Sequence, residues 1–229
     1  MRSLILTAAV LLIGTGASAD TIVRAANVFP VSADPIAGGE VVFDDAGTIV
    51  AVGPAGSTDP AGHEVIDLGD LNLYPGLIAA NSSLGLTEIS AVRPGNDVRE
   101  IGDHNARLIS YHAINPDSEL IPVARENGVT HVQVVPQGSR VRGRSGVVRT
   151  VGWTGEDRLE FGPNALHLGW PSMQLDRSDD ARSMKEQLRE REERVAEMDE
   201  LVERARAYAA SEGLARDLEL EAWGPFVAG

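Results

Sequence analysis

The chain changes texture at one point, and that change limits its fold more than any other feature. Up to Leu73, short runs rich in Val and Ile are separated by glycine-containing turns. From Tyr74 onward, apolar runs alternate with polar or helical stretches. In the first part, "TIVRAANVFP", "GEVVFDDAGTIVAVG" and "HEVIDLGDLNLYPG" read as strands, punctuated by Gly38-Gly39, Asp45-Ala46-Gly47 and Pro54-Ala55-Gly56. "VVFDDAGTIVAVG" predicts a hairpin that turns between Asp44 and Gly47. Residues 20–73 are therefore expected to form a small β-module.

In the second part, alternation of strand and helix predicts βα units on a largely parallel sheet. Within "NPDSELIPVARENGVTHVQVV", Asp117 or Ser118 can cap a short helix, Gly128 can end it, and Val129 to Val135 makes a buried strand. "GSRVRGRSGVVRT" reads as a glycine–arginine loop, followed by a strand through "NALHLGWP". A long helix is expected over 179–211, with Ser178 as N-cap, Asp179 and Asp180 at its positive end and Gly213 at its close. Met184, Leu188, Val195, Met198, Leu201, Val202, Ala205 and Ala209 share one face at helical spacing, which suits a helix lying on a sheet. Glu190 with Arg194 and Glu200 with Arg204 are spaced as i,i+4 pairs.

Two bulk properties narrow the function. The formal net charge is −14, which argues against nucleic acid and anionic membrane surfaces as partners, since both attract basic patches. There is no cysteine, so thiol chemistry and cysteine–metal sites are excluded. The first residues read as an export signal: Arg2 is followed by a mostly apolar run from Leu4 to Ile13 and by Ala17-Ser18-Ala19. That run is too short to span a bilayer. The expectation is cleavage after Ala19 and a periplasmic or secreted product with no membrane attachment after processing.

The stretch "LNLYPGLIAANSSLGL" resembles the first barrel strand of the metal-dependent amidohydrolases. In that superfamily the pattern is Pro-Gly-apolar-apolar-Asp-x-His-x-His. The two histidines bind metal at the strand's C-terminal mouth, one residue apart because alternate side chains share a face. Here Pro75, Gly76, Leu77 and Ile78 match, while Ala79 stands for the Asp and Asn81 and Ser83 stand for the two histidines. Neither Asn nor Ser is a good zinc ligand, so Asn81 and Ser83 are degenerate metal positions. The wider text, with "SLGLTEISAV", "NPDSELIPVARENGVTHVQVVPQG" and "ALHLGWPSM", is similar to a secreted, imidazolonepropionase-like branch.

That resemblance implies an α/β fold, with the β-sandwich module followed, over residues 74–229, by the first part of a TIM-like (β/α) barrel. It implies hydrolysis of non-peptide or dipeptide-like carbon–nitrogen bonds by a metal-activated water, on a small-molecule substrate. The alternative is a catalytically inactive relative or fragment serving as a binding or vestigial module. Zinc is expected for the family and no cofactor is expected in this chain, given Asn81 and Ser83. Only three barrel-like strands precede the long helix, where the resemblance calls for eight, so the chain is about half of what it implies. An open edge near Ala165 to Trp170 and an unfilled interior at Leu77, Val132, Val134 and Leu166 follow, and with them self-association or a complementary chain.

The remaining candidates are few. Arg140, Arg142, Arg144 and Arg149 form the basic cluster of an acidic chain, and Arg142 and Arg144 could hold a substrate carboxylate; a solvated loop with incidental arginines is the other reading. His167, near a strand end, is the histidine best placed to join them; a structural role is the other reading. His63, His104 and His112 fall in connections and His131 within a strand. Glu88 and Asp97 could serve in acid–base chemistry but have no partner evident in the sequence.

Overall fold

The computed structural model describes residues 20–228 except Ser90, Ser139, Asp179, Gly213 and Leu214. The export segment and the Asp179 and Gly213 helix ends lie outside the described residues. The chain divides into two compact units, one through Pro75 and one from Gly76.

The first unit is a single five-stranded sheet: β1 (Thr21–Val28), β2 (Ile36–Phe43), β3 (Ile49–Pro54), β4 (Glu64–Asp67) and β5 (Asn72–Leu73). The expected sandwich is corrected here. The short β4 and β5 both pair parallel with β1, at its two ends, so they extend one sheet and do not start a second layer. The hairpin forms where the turn residues predict it, with β2 and β3 antiparallel. Asp44 closes it by accepting the backbone N–H groups of Ala46 and Thr48, and Gly47 takes φ 79°, a conformation a side chain disfavours.

The anchor of this unit is Glu40, 1% exposed. Its carboxylate accepts Arg24 Nε at 3.2 Å, the Gly56 N–H at 2.9 Å and the Thr58 N–H at 2.7 Å. Burial by itself would raise its pKa. The donated hydrogen bonds outweigh that and hold the carboxyl at about 2.

The second unit carries β6 (Leu77–Ser82), a 3-10 turn at Arg93–Gly95, another at Ser110–Ala113, and α1 (Leu120–Glu126). It continues with β7 (Val129–Val134), β8 (Val141–Arg149), α2 (Gly155–Arg158) and β9 (Leu159–Leu168). The last elements are α3 (Met184–Ala209), α4 (Leu218–Glu221) and α5 (Gly224–Val227). The sheet runs β6-β7-β8-β9. Its first pair is parallel, as a βα unit requires, with α1 as the crossover; the N-cap is Glu119 and not Asp117 or Ser118, although Ser118 Oγ accepts the Leu120 N–H, and Gly128 follows the helix at φ 84°.

From there the expected parallel barrel pattern fails. The glycine–arginine stretch is the strand β8, not a loop, and β7–β8 and β8–β9 are both antiparallel. The glycines make this strand possible. A Cβ on Gly146 would stand 2.6 Å from Tyr111 Cδ1, and Gly143, at φ 119°, lies against Leu108. Val132 and Val134 do not face an empty interior either. They are fully buried with Leu86, Tyr111, Ile114, Ile121 and Val148 in one core cluster.

A second cluster joins Val141 to α3 through Met198, Leu201 and Ala205, with Trp223 also buried in it. The helix stripe is thus buried only in its C-terminal half; Met184 and Leu188 are exposed. The N-cap is Ser183, not Ser178. Ser183 and Glu186 form a reciprocal capping box, while Ser178 turns back to Asp176. Glu190 pairs with Arg182 rather than Arg194. Among the described residues no helix is long and apolar enough to cross a membrane.

Candidate functional site

The Pro-Gly signature has a packing reason. A Cβ on Gly76 would fall 2.3 Å from Thr130, so only glycine lets the chain enter β6 this close to β7. Leu77 N–H then donates to Gly128 O at 2.8 Å, and at the far end the Val135 N–H donates to Ser82 O at 2.9 Å. The strand delivers Asn81 and Ser83 to the C-terminal ends of the parallel pair, where the resemblance wants metal ligands. Asn81 is exposed and Ser83 half-buried. Their amide and hydroxyl do not fit zinc, and among the described residues no group of three or more His, Asp or Glu side chains could hold a metal ion.

The histidines are dispersed. His131 lies on β7 with Nδ1 3.0 Å from Thr130 Oγ1, His112 packs edge-on against Tyr111, and His63 sits 4.0 Å from Asp20. Glu88 accepts a long hydrogen bond from Asn115 Nδ2. Asp97 lines an open cleft of about 740 Å³ together with Arg93, Asn96, Arg99, Glu100 and Gly138.

The four arginines separate by role. Arg140 pairs with Glu197 at 2.8 Å, and Arg149 pairs with Glu160 and donates to Asp157 O. Arg144 donates from Nε to Ala106 O and from NH2 to Arg107 O, both at 3.0 Å, so its fork fastens a loop to the sheet. Arg142 differs: its Nε is buried with no hydrogen-bond partner among the described residues. Its stem lies beside Gly138, where a Cβ would be 3.9 Å from both Arg142 Cγ and Arg99 Cβ. Arg142 therefore adjoins the wall of the cleft.

His167 is held one register step away, opposite Gly143. Its Nε2 lies 2.7 Å from Ser145 Oγ, which is also 3.0 Å from Gln133 Nε2 and 3.2 Å from Asn164 Oδ1. Burial and then the Arg142 charge lower the pKa of His167, which favours the neutral ring. The register thus sets Arg142 beside the position paired with His167, while Arg144 is engaged by two backbone carbonyls. Sequence reading missed Gln133, Ser145 and Asn164. The signal was a polar residue at neighbouring levels on three adjacent strands, hidden while β8 reads as a loop.

Comparison with known proteins agrees with this geometry at the level of fold. No protein-family model matches the chain, and no curated protein does. The chain is similar to the crystal structure of an amidohydrolase from Thermotoga maritima MSB8, with a TM-score of 0.72 and 23% identity, over 90% of this chain and 55% of that one. That likeness is one of fold, over the part of the neighbour that the chain spans. The chain spans about half the length of that neighbour. A crystal structure of A. niger ochratoxinase overlaps only 32% of this chain, at a TM-score of 0.26 and 18% identity.

Proposed function

We propose that the chain is an amidohydrolase-type scaffold that binds a small molecule and does not itself hold the hydrolytic metal. The observation that carries this reading is that Asn81 and Ser83, whose side chains do not fit zinc, stand at the end of a strand entered through Pro75-Gly76, where the resemblance expects metal ligands. Export to the periplasm or the exterior, with cleavage after Ala19, belongs to the same proposal.

The fold likeness favours a second reading, in which the chain contributes to a hydrolase of carbon–nitrogen bonds. Other residues would then have to supply every metal ligand. One experiment separates the two. The purified protein is dialysed against zinc, its metal content measured, and hydrolysis of dipeptide-like and cyclic amide substrates followed with and without zinc. The binding-module reading expects substoichiometric zinc and no zinc-dependent turnover. Stoichiometric tight zinc together with turnover establishes the hydrolase and overturns it.

A further inference from the structure

Two arginines from different helices converge on one carbonyl oxygen. Arg158, at the end of α2, donates from NH1 to Thr150 O at 3.0 Å and from NH2 to Pro116 O at 3.2 Å. Arg125, in the last turn of α1, donates from NH1 to the same Thr150 O at 3.3 Å. The two terminal nitrogens are therefore no further apart than those two Thr150 distances laid end to end. Like charges that close repel each other, and one neutral oxygen does not offset them. Among the described residues neither guanidinium is in an ion pair with a carboxylate.

Arg158 is only 6% exposed, and its Nε is buried with no hydrogen-bond partner among the described residues. The residue lines a cavity of about 10 Å³ together with Thr150 and an apolar wall that includes Ile114, Ile121, Val132 and Val148. Burial and the Arg125 charge lower the pKa of Arg158, and Asp157 and Asp117, neither in ion-pair contact with it, offset this only in part. A guanidinium stays protonated all the same, and a cation held inside without an anion is costly. A space of this size takes one atom-sized guest and excludes a carboxylate or a phosphate group. We propose that it is a site for a single halide ion, chloride above all, held by the Arg158 Nε–H, with the Arg125 charge adding to its attraction. The ion links α1, α2 and the end of β8, which meet at Thr150, so the stability of the second unit depends on chloride.

The test uses the whole purified protein in sodium chloride and in sodium gluconate at equal ionic strength, gluconate being too large for the cavity. Urea unfolding is followed by tryptophan fluorescence, since Trp153, Trp170 and Trp223 all lie in the second unit. One ion released on unfolding makes the unfolding constant fall about tenfold for each tenfold rise in chloride above its dissociation constant. Gluconate should give no such slope. Chlorine NMR should show line broadening that bromide reverses, and crystals grown with bromide should show an anomalous peak within hydrogen-bond reach of Arg158 Nε. Arg125→Gln, at an exposed position, should weaken chloride binding several-fold. Arg158→Lys keeps the charge but loses Nε, and should remove the chloride slope. Equal unfolding midpoints in chloride and gluconate overturn the proposal, as does a bromide peak found only elsewhere. Broadening that neither variant changes marks an adventitious ion only and overturns it too. If Arg158→Lys does not fold, the salt dependence of the parent and of Arg125→Gln decides the matter.

Discussion

Gly146 runs so close beneath Tyr111 that a Cβ there would come within 2.6 Å of Cδ1 and 2.7 Å of Cε1. The buried tyrosine ring, 4% exposed, fills the space that a side chain on β8 would claim. The third-strand partner leaves no slack, because a Cβ on Gly162 would lie 2.8 Å from Gly146 Cα. Three elements therefore meet at a point where two of them have no side chain.

Gly146→Ala is expected to destabilise the second unit by about 1–3 kcal/mol, the range typical of an added carbon in a packed core. Equilibrium urea unfolding of the variant and the parent, followed by tryptophan fluorescence, measures it. A cost below about 0.5 kcal/mol would show that Tyr111 is free to move aside. The double variant with Tyr111→Leu should recover part of the loss, because the ring and the new Cβ compete for one volume.

The same glycines explain what the sequence did and did not disclose. Apolar runs with clean turn residues, such as Val41 to Val52 around Asp44 and Gly47, were legible because local chemistry alone decides them. So was the βα unit through Ser118 and Gly128. Strand β8 was not, since Gly143 and Gly146 are poor strand residues whose value appears only when Leu108 and Tyr111 pack on them. The site followed the same division. Asn81, Ser83, Arg142 and His167 could be singled out by motif and residue type, whereas Ser145 looks like any loop serine until its strand is known. Helix α3 shows a smaller version: Ser178 and Ser183 are both acceptable caps, and only Ser183 has Glu186 three residues on to answer it.

Glu40 gives the first unit a predictable response to acid. Its folded pKa of about 2 lies below the ordinary 4.5, so its contribution to stability is complete above about pH 4.5 and is lost as pH falls through about 2. Glu40→Gln should therefore cost on the order of 2–3 kcal/mol at pH 7, where the charged acceptor of three donors is removed. The gap between parent and variant should narrow as the pH drops below 4.5. Denaturant midpoints at several pH values check this. A gap that does not change with pH would mean that the Arg24, Gly56 and Thr58 donors do not distinguish carboxylate from amide.

At the start of α3, Ser183→Ala should cost about 1 kcal/mol, because it removes the acceptor for the Glu186 N–H and breaks the reciprocal box. Ser178→Ala, five positions earlier and exposed, should cost little. Far-ultraviolet circular dichroism through thermal melts of both variants compares the two. An equal effect would mean that the helix begins before Met184.

The last prediction concerns β6, one of the two edge strands of the second sheet; the other is β9. Strand β6 pairs with β7 on one side only within that sheet, so its outer backbone N–H and C=O groups have no ladder partner there. Leu77 and Ile78 lie on it, and Ile78 is 67% exposed. An edge that combines free backbone groups with exposed apolar side chains is a template for pairing with another chain, and no lysine or proline interrupts it between Leu77 and Ser82. The protein is therefore expected to self-associate in a concentration-dependent way. Ile78→Lys should suppress this: the ammonium projects from the exposed face, and pairing to His131 through the backbone is left intact. Light scattering behind size-exclusion chromatography, across a range of loading concentrations, measures the mass of each protein. A parent that stays monomeric at every concentration would show that the edge is already protected, and an Ile78→Lys variant that associates as strongly as the parent would place the contact elsewhere.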